Sequence, residues 1–466
     1  MTTDEYLTTS TSTDGLREAT RGPVLAPTDP GYDDVRRVWN ASIDRRPALI
    51  VQPSGVADVI AAVRFAAERD LPIAVRGGGH SFAGLGTCDD GLLVDLELMK
   101  GIRVDANARE VVAQGGVTWG ELDHETAAFG LATTGGMVST TGIAGLTLGG
   151  GVGWLMRKYG LSCDNLIGAD IVTADAQLRH ASEDEHADLF WALRGGGGNF
   201  GIVTSLEYRL HPVGTVLGGA LFYPAVNAAD VLAFYAASAP TERDELVTLL
   251  EFTTAPDTDD FPAEYRGKPV IALALCYCGP IADGEAAIEP WRRVAPLVAD
   301  FVGPMPYSEL QTFFDEDYPR GMWSYVKSHY VDDLSAEAIS ALAAAGDARP
   351  TKRSFIDIHH LEGAPARVEP DSSAFDERRV RYLVMFGGVC ADEPELQRCR
   401  DWAKKYWSAL ASYGTGHTYV NFMSDTDAAA VQAAWGTAKY ERLVAVKNRH
   451  DPGNRFRFNH NIAPSP

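Results

Sequence analysis

The chain has 466 residues, 45% hydrophobic and 22% charged, with a formal net charge of -22. That length exceeds what one hydrophobic core organises and predicts two domains. A surface this acidic repels phosphate backbones and anionic lipid, which argues against nucleic-acid and membrane-surface partners.

No apolar run reaches the roughly 18 residues of a membrane span, and the Thr-rich start has no basic region followed by an apolar core, so the expected location is the cytoplasm. Residues 1–46 show weak periodicity and read as an arm on the first domain. A short apolar strand is predicted at 48–52. Ser54 is a candidate N-cap, and Val56, Val59, Ile60 and Val63 follow at helical spacing to about Asp70. The apolar run 71–75 reads as a buried strand leading into Arg76-Gly77-Gly78-Gly79-His80-Ser81. Three consecutive glycines leave this turn without Cβ atoms, so main-chain N–H groups can close on an anion. Arg76 offers a planar fork for phosphate. Taken alone, the segment is equally a glycine turn with a solvated histidine. Strands follow at 91–96 and 110–114 with a turn at 105–108, and Thr118 caps a helix to about Phe129.

Residues 135–153 form a second dense stretch, with eight glycines in nineteen positions. Ordering that much free backbone is costly, and the Ile, Leu, Val and Met among the glycines are foreign to a linker. The stretch predicts a loop against which another molecule lies. A strand at 166–173 and a helix ending at Arg194 come next. Gly196, Gly198 and Gly201 match the dinucleotide fingerprint formally, but a helix precedes them and a strand follows, the reverse of that motif's context. Pro212-Val213-Gly214 marks a boundary. Beyond it, strands at 219–223, 246–252, 270–278, 353–359 and 381–389 and helices at 229–239, 284–299, 335–345 and 393–412 predict an antiparallel sheet. Helices cover one face, and the other is free to cover a ligand. Phe355, Asp357 and His359 alternate with Ile356 and Ile358, so His359 and His360 lie on opposite faces. The six cysteines have no zinc-ligand or disulfide spacing, and no metal site is expected. A short strand at 419–422 and a helix at 435–449 lead to Asn459-His460-Asn461, two amides flanking a histidine.

Several of these features share an order and spacing. They are the Arg76–Ser81 loop, the 142–153 loop, Tyr159-Gly160-Leu161 with Asp164-Asn165, Phe190-Trp191-Ala192-Leu193-Arg194-Gly195 with Phe200-Gly201, and Asp451-Pro452 with Phe458-Asn459-His460-Asn461-Ile462. Together the pattern resembles the berberine-bridge-enzyme-like flavin oxidases of the vanillyl-alcohol-oxidase superfamily, most of all bacterial members of the 6-hydroxy-D-nicotine oxidase type. The resemblance is strong over 47–213 and 419–466 and weak between. It implies an α+β, two-domain flavoprotein. The FAD-binding domain would be discontinuous (47–213 and 419–466), with a substrate domain at 214–418 built on a large antiparallel sheet with helices on one face. It implies Arg76, Gly77, Gly78, Gly79, His80 and Ser81 at the pyrophosphate, with Gly84 nearby. It implies Gly142, Gly145, Gly149, Gly150, Asn165, Gly201 and Val203 along the FAD, and Asn459 and Asn461 near the flavin ring.

His80 matches the histidine that carries the flavin covalently. The cysteine of a second linkage, found in some members, is replaced here by Val138, so a single linkage is expected. Cys163, downstream of the loop, is expected to be a packing residue. Thr141 stands at the position that gates dioxygen, where valine goes with oxidases, and its volume permits one. Phe422 replaces a tyrosine that many plant members use in their base arrangement. That leaves Tyr419 as the nearest phenol, with His359 and Tyr330 as further catalytic candidates and Glu362 behind them. The implied reaction moves a hydride from a C–H bond of an alcohol, sugar, amine or natural-product intermediate to FAD, with dioxygen reduced to hydrogen peroxide. A dehydrogenase with another acceptor, or a flavin-binding protein with little turnover, are the alternatives.

Overall fold

Residues 13–465 are described by the structure, a computed structural model. The first apolar runs become three parallel strands, Leu49–Val51, Ile73–Arg76 and Leu92–Asp95, with Leu92–Asp95 in the middle. Strands buried on both faces read as continuous apolar runs, as these do. Val24–Leu25 of the arm extends the sheet antiparallel to Leu49–Val51. Helix Val56–Glu68 lays Val59, Ala62, Val63 and Ala66 against this sheet. Its N-cap is Gly55, not Ser54. Ser54 turns instead to Asp58, whose carboxylate also accepts from Arg21 N and Gly22 N. An acid on the first turn thereby ties the arm to the helix.

The second sheet is antiparallel, in the order Ile102–Asp105, Glu110–Gln114, Ile202–Arg209, Leu166–Val172, Leu178–Ser182. The strand Ile102–Asp105, absent from the sequence expectation, makes a hairpin with Glu110–Gln114 across the expected turn. Thr118 caps Trp119–Ala127 as expected, its N–H donating to the Glu121 carboxylate at 2.8 Å. Helix Ala187–Leu193 precedes and strand Ile202–Arg209 follows the 196–201 glycines, the order that rules out a dinucleotide fingerprint.

From Thr215 onward eight strands build one antiparallel sheet. Its order is Ala299–Asp300, Thr215–Pro224, Pro269–Tyr277, Leu246–Thr254, Phe355–His360, Tyr382–Cys390, Trp323–Val331, with Gly303–Pro306 also on Thr215–Pro224. Trp323–Val331 escapes prediction because serine, lysine and histidine interrupt its apolar pattern. The two-residue period sorts the faces. Leu250, Ile356, Ile358, Val384 and Phe386 join a core with helices Ala228–Ser238, Ala336–Asp347 and Glu393–Leu410. Leu249, Asp357, His359 and Met385 face the opposite side and line a cavity.

Three further local expectations fail. The helix predicted over 284–299 is Ile281–Ile288, ended by Pro290 and followed by a 3₁₀ turn. Residues 419–422 form the 3₁₀ turn Val420–Phe422, not a strand, with Phe422 N donating to Tyr419 O at 2.9 Å. The last helix spans Ala428–His450 and breaks at Gly436 (φ +63°). Leu443, Val446 and Ile462 then join the core of the five-stranded sheet, and Phe456 that of the first sheet. Among the described residues no helix is long and apolar enough to cross a membrane.

Asp58 is 2% exposed. Burial alone would raise its carboxyl, but the donors from Ser54, Arg21 and Gly22 outweigh that and hold it below the usual range. Its contribution is therefore present above the unfolded value of about 4 and is lost as pH falls through the lower folded value. Asp58→Ala should cost about 3 kcal/mol in urea unfolding at neutral pH, and Asp259→Ala, on an exposed carboxylate, about zero.

Candidate active site

The two glycine stretches meet backbone to backbone. A Cβ on Gly78 would lie 2.3 Å from Gly142 N, and one on Gly142 2.3 Å from Gly78 N. No side chain fits at either position. Gly79, at φ +74°, completes the turn, and its carbonyl accepts from Trp39 N at 3.0 Å. Among the described residues, the main-chain N–H groups of residues 77–81 donate to no protein group. Five successive donors without a protein partner, three of them on glycines, are of the kind that suits an anion.

Arg76 does not join those donors. Its Nε and Nη2 donate to Asp95 at 2.9 and 2.6 Å, and Nη1 donates to the carbonyls of Val35 and Arg37. The side chain is 4% exposed. Every arm of its fork is spent on pinning the arm and the strand end, so the fork is not free for phosphate as expected, although Arg76 does line the cavity.

His80 lies in the same loop and lines the same cavity. Its ring stacks on Trp39 at 5.7 Å, with Nε2 3.0 Å from Thr140 Oγ1 and Nδ1 3.4 Å from Thr141 Oγ1. Burial, and then the nearby Arg320 guanidinium, push the imidazole down to about 4, so it is neutral at pH 7. A neutral ring keeps a nucleophilic lone pair. Val138, Thr141, Gly142, Gly145, Gly149, Gly201, Val203 and Asn459 also line the cavity, with Gly77, Gly78, Gly79 and Ser81. Cys163 does not. It is fully buried, with Sγ 3.7 Å from Asp164 Oδ1, and burial raises its thiol far above the ordinary range.

Several expected residues lie elsewhere. Gly84 packs under Ile43, and Gly150 under Phe375. Asn165 is buried in a structural role, Nδ2 donating to the carbonyls of Tyr159 and Leu161 and Oδ1 bonding His211 Nε2 at 2.7 Å. Asn461 is off the cavity wall, its buried Oδ1 unpartnered, and His460 takes the lining position, with Nδ1 unpartnered. Tyr419 lies off the cavity wall. Its oxygen accepts from Gly151 N (2.8 Å), Val152 N (3.3 Å) and Asn421 Nδ2 (2.9 Å), and burial pushes it up to about 12. It braces the glycine loop from behind. Tyr330 is buried in the core beside it and likewise raised by burial. His360 and Glu362 bond each other at 2.9 Å outside the cavity. Asp376, Glu377 and His417 also cluster away from it, with His417 Nδ1 2.7 Å from Asp376 Oδ2.

His359 does face the cavity. Among the described residues both its ring nitrogens are buried without partners, and burial lowers it to about 3, leaving it neutral. Asp357, two residues earlier, faces the same way, with Oδ1 unpartnered. Burial, then Glu251, raise its carboxyl well above the usual range. The alternation of the strand already placed Asp357 beside His359, but nothing local marked its carboxyl as unpaired. Trp39, Phe82, Phe314, Tyr318 and Phe422 complete the walls.

Two family models match the chain, an FAD binding domain over residues 47–182 and a berberine and berberine-like segment over 418–463. The (R)-6-hydroxynicotine oxidase of Paenarthrobacter nicotinovorans is 31% identical over 459 residues, 95% of this chain and 97% of its own. The crystal structure of 6-hydroxy-D-nicotine oxidase from Arthrobacter nicotinovorans is similar with a TM-score of 0.86 and 30% identity, covering 96% of this chain and 98% of that one. A glucooligosaccharide oxidase from Acremonium strictum, with a 6-S-cysteinyl, 8α-N1-histidyl FAD, shares the fold at a TM-score of 0.86 and 24% identity, covering 97% and 99%.

Gly142→Ala should yield protein that purifies without yellow colour, because the added methyl forces the two loops apart. Gly214→Ala, where a Cβ meets nothing within 4 Å, should keep the parent's flavin absorbance.

Proposed function

The chain belongs to the berberine-bridge-like FAD-linked oxidoreductases, and from that premise we propose that it is an oxidase carrying FAD on His80. It takes a hydride from a small molecule held beneath Asp357 and His359 and passes the electrons to dioxygen, giving hydrogen peroxide. The observation that carries this reading is the row of unpaired N–H groups over 77–81, which abuts the Gly142 loop and ends on the neutral His80 ring.

FAD bound here supplies the two-electron acceptor. The N–H groups of residues 77–81 would hold its phosphates, and the Gly78–Gly142 contact keeps side chains out of that seam. Thr140 and Thr141 fix the plane of His80, whose neutral nitrogen is available for one covalent bond. Val138 offers no thiol for a second. Thr141 has nearly the volume of valine, which supports dioxygen access. Asp357, unpartnered at Oδ1 on the cavity wall, is the carboxyl placed nearest to exchange a proton with the substrate's O–H or N–H group, and because burial and Glu251 hold it protonated at rest it must lose that proton before it can accept another. Residues 47–213 and 419–466 form the cofactor part in this reading, and 214–418 the substrate part. The common core of Leu443, Val446 and Ile462 with the five-stranded sheet supports that division. Six buried, unpaired cysteines suit a reducing cytoplasm.

One observation favours transfer to an acceptor other than dioxygen, the Thr141 hydroxyl at the gate. The holoenzyme reduced anaerobically and then mixed with air separates the two. An oxidase reoxidises within seconds and releases about one hydrogen peroxide per flavin. Slow reoxidation in air, with fast reoxidation by a quinone, would make it a dehydrogenase.

A further inference from the structure

A second cavity, of about 380 Å³, lies at the outer edge of the eight-stranded sheet, where Trp323–Val331 is the last strand. Asn40 of the arm covers that edge, accepting from Ser324 N at 3.2 Å and donating to Ser324 O at 3.0 Å. Helix Glu393–Leu410 supplies one wall and residues 424–427 another. Among the described residues, Phe82 is the one that lines both this cavity and the cavity beside His80. Its ring stands edge-on to Trp39 and Phe422, at 5.7 and 6.4 Å.

The acid and amide oxygens of the second cavity are engaged. Asn40 Oδ1 also takes the N–H and hydroxyl of Ser42. Asp425 accepts from the Tyr325 hydroxyl at 2.8 Å and from Lys327 Nζ. Asp427 caps the last helix, accepting from Ala430 N at 3.0 Å. The donors are not engaged. Arg400 and Lys404 stand one turn apart on their helix, with their charged ends 5.8 and 5.7 Å from the Tyr325 ring. Among the described residues neither has an ion pair or a hydrogen bond, and Lys404 bears on Asp425 only from a distance. Ser324 is 3% exposed, and its Oγ has no partner.

Like charges four residues apart on a helix repel, and a buried hydroxyl without a partner is unfavourable. An anion with oxygen acceptors relieves both. On a chain of net charge -22, two neighbouring cations without a carboxylate are also a local exception. The guanidinium fork of Arg400 matches a carboxylate in two parallel hydrogen bonds. Ile43, Phe82 and Ala83 add an apolar side to the cavity, which suits an anion that carries an apolar body. We propose that this cavity is a second ligand site, which takes a compact organic carboxylate. Arg400 and Lys404 hold the carboxylate, Ser324 Oγ donates to it, and the body lies on Ile43, Phe82 and Ala83. Because Phe82 is shared, an occupant touches a wall of the first cavity. The proposal stands whether or not the first cavity is that of an oxidase.

The test is a calorimetric titration of the coloured holoenzyme with benzoate, its neutral isostere benzamide, and inorganic phosphate. Benzoate should bind about tenfold or more tightly than benzamide, and the preference should shrink as salt is added. Arg400→Gln should weaken benzoate about tenfold and leave benzamide unchanged, and Ser324→Ala should weaken benzoate about threefold. Arg400 is on the surface and off the first cavity, so the variant should keep the parent's flavin spectrum, which checks its fold. Benzoate held in the first cavity instead would bind Arg400→Gln as tightly as the parent. That result, equal binding of benzoate and benzamide, tighter binding of phosphate than of benzoate, or no saturable benzoate binding would each overturn the proposal.

Discussion

The structure depends on one close approach, the main-chain contact between Gly78 and Gly142. The two glycines end unrelated elements, one following a parallel strand and the other opening a short helix. Bringing their backbones together leaves a seam with no side chains and a row of unpaired N–H groups. The rest of the first domain holds that seam shut. The buried Arg76–Asp95 pair fixes the strand end below it, and breaking such a pair would leave an uncompensated charge. Trp39 bonds the loop from the arm, and Arg320 Nη2 reaches Gly78 O at 3.2 Å from the segment before strand Trp323–Val331. Ser139 donates to Asp315 through its N–H and hydroxyl, closing the same joint from the other loop.

The roof follows from a different rule. A strand shows its faces alternately, so Ile356 and Ile358 pay for the sheet's attachment to its helices while Asp357 and His359 face the cavity. A one-residue slip would exchange them. Behind the floor, the Tyr419 oxygen gathers two loop N–H groups and the Asn421 amide. Floor and roof are thus positioned for separate reasons, one by backbone contact and the other by sheet register.

Glycine positions were the most legible part of the site in the sequence, because the absence of a side chain is itself the functional property. Strands with clean alternation and the helices that cover them were legible for the same local reason. Side-chain roles were not. Arg76, Asn165 and Tyr419 look free in sequence, but their partners, Arg37, His211 and Gly151, are brought to them only by the fold. Asp357 shows the converse. Its facing direction was readable, but its lack of a partner became visible only when the sheet set Glu251 beside it. Trp39 lay in a segment without periodicity and reached the His80 ring through the arm's path.

The central claim is that this cradle ends in a single covalent anchor. Mass mapping of a proteolytic digest of the coloured protein tests it most directly. The expected result is FAD mass on the peptide containing His80 and on no other. Flavin on the Cys163 peptide, or release of all flavin from the acid-denatured chain, would contradict it.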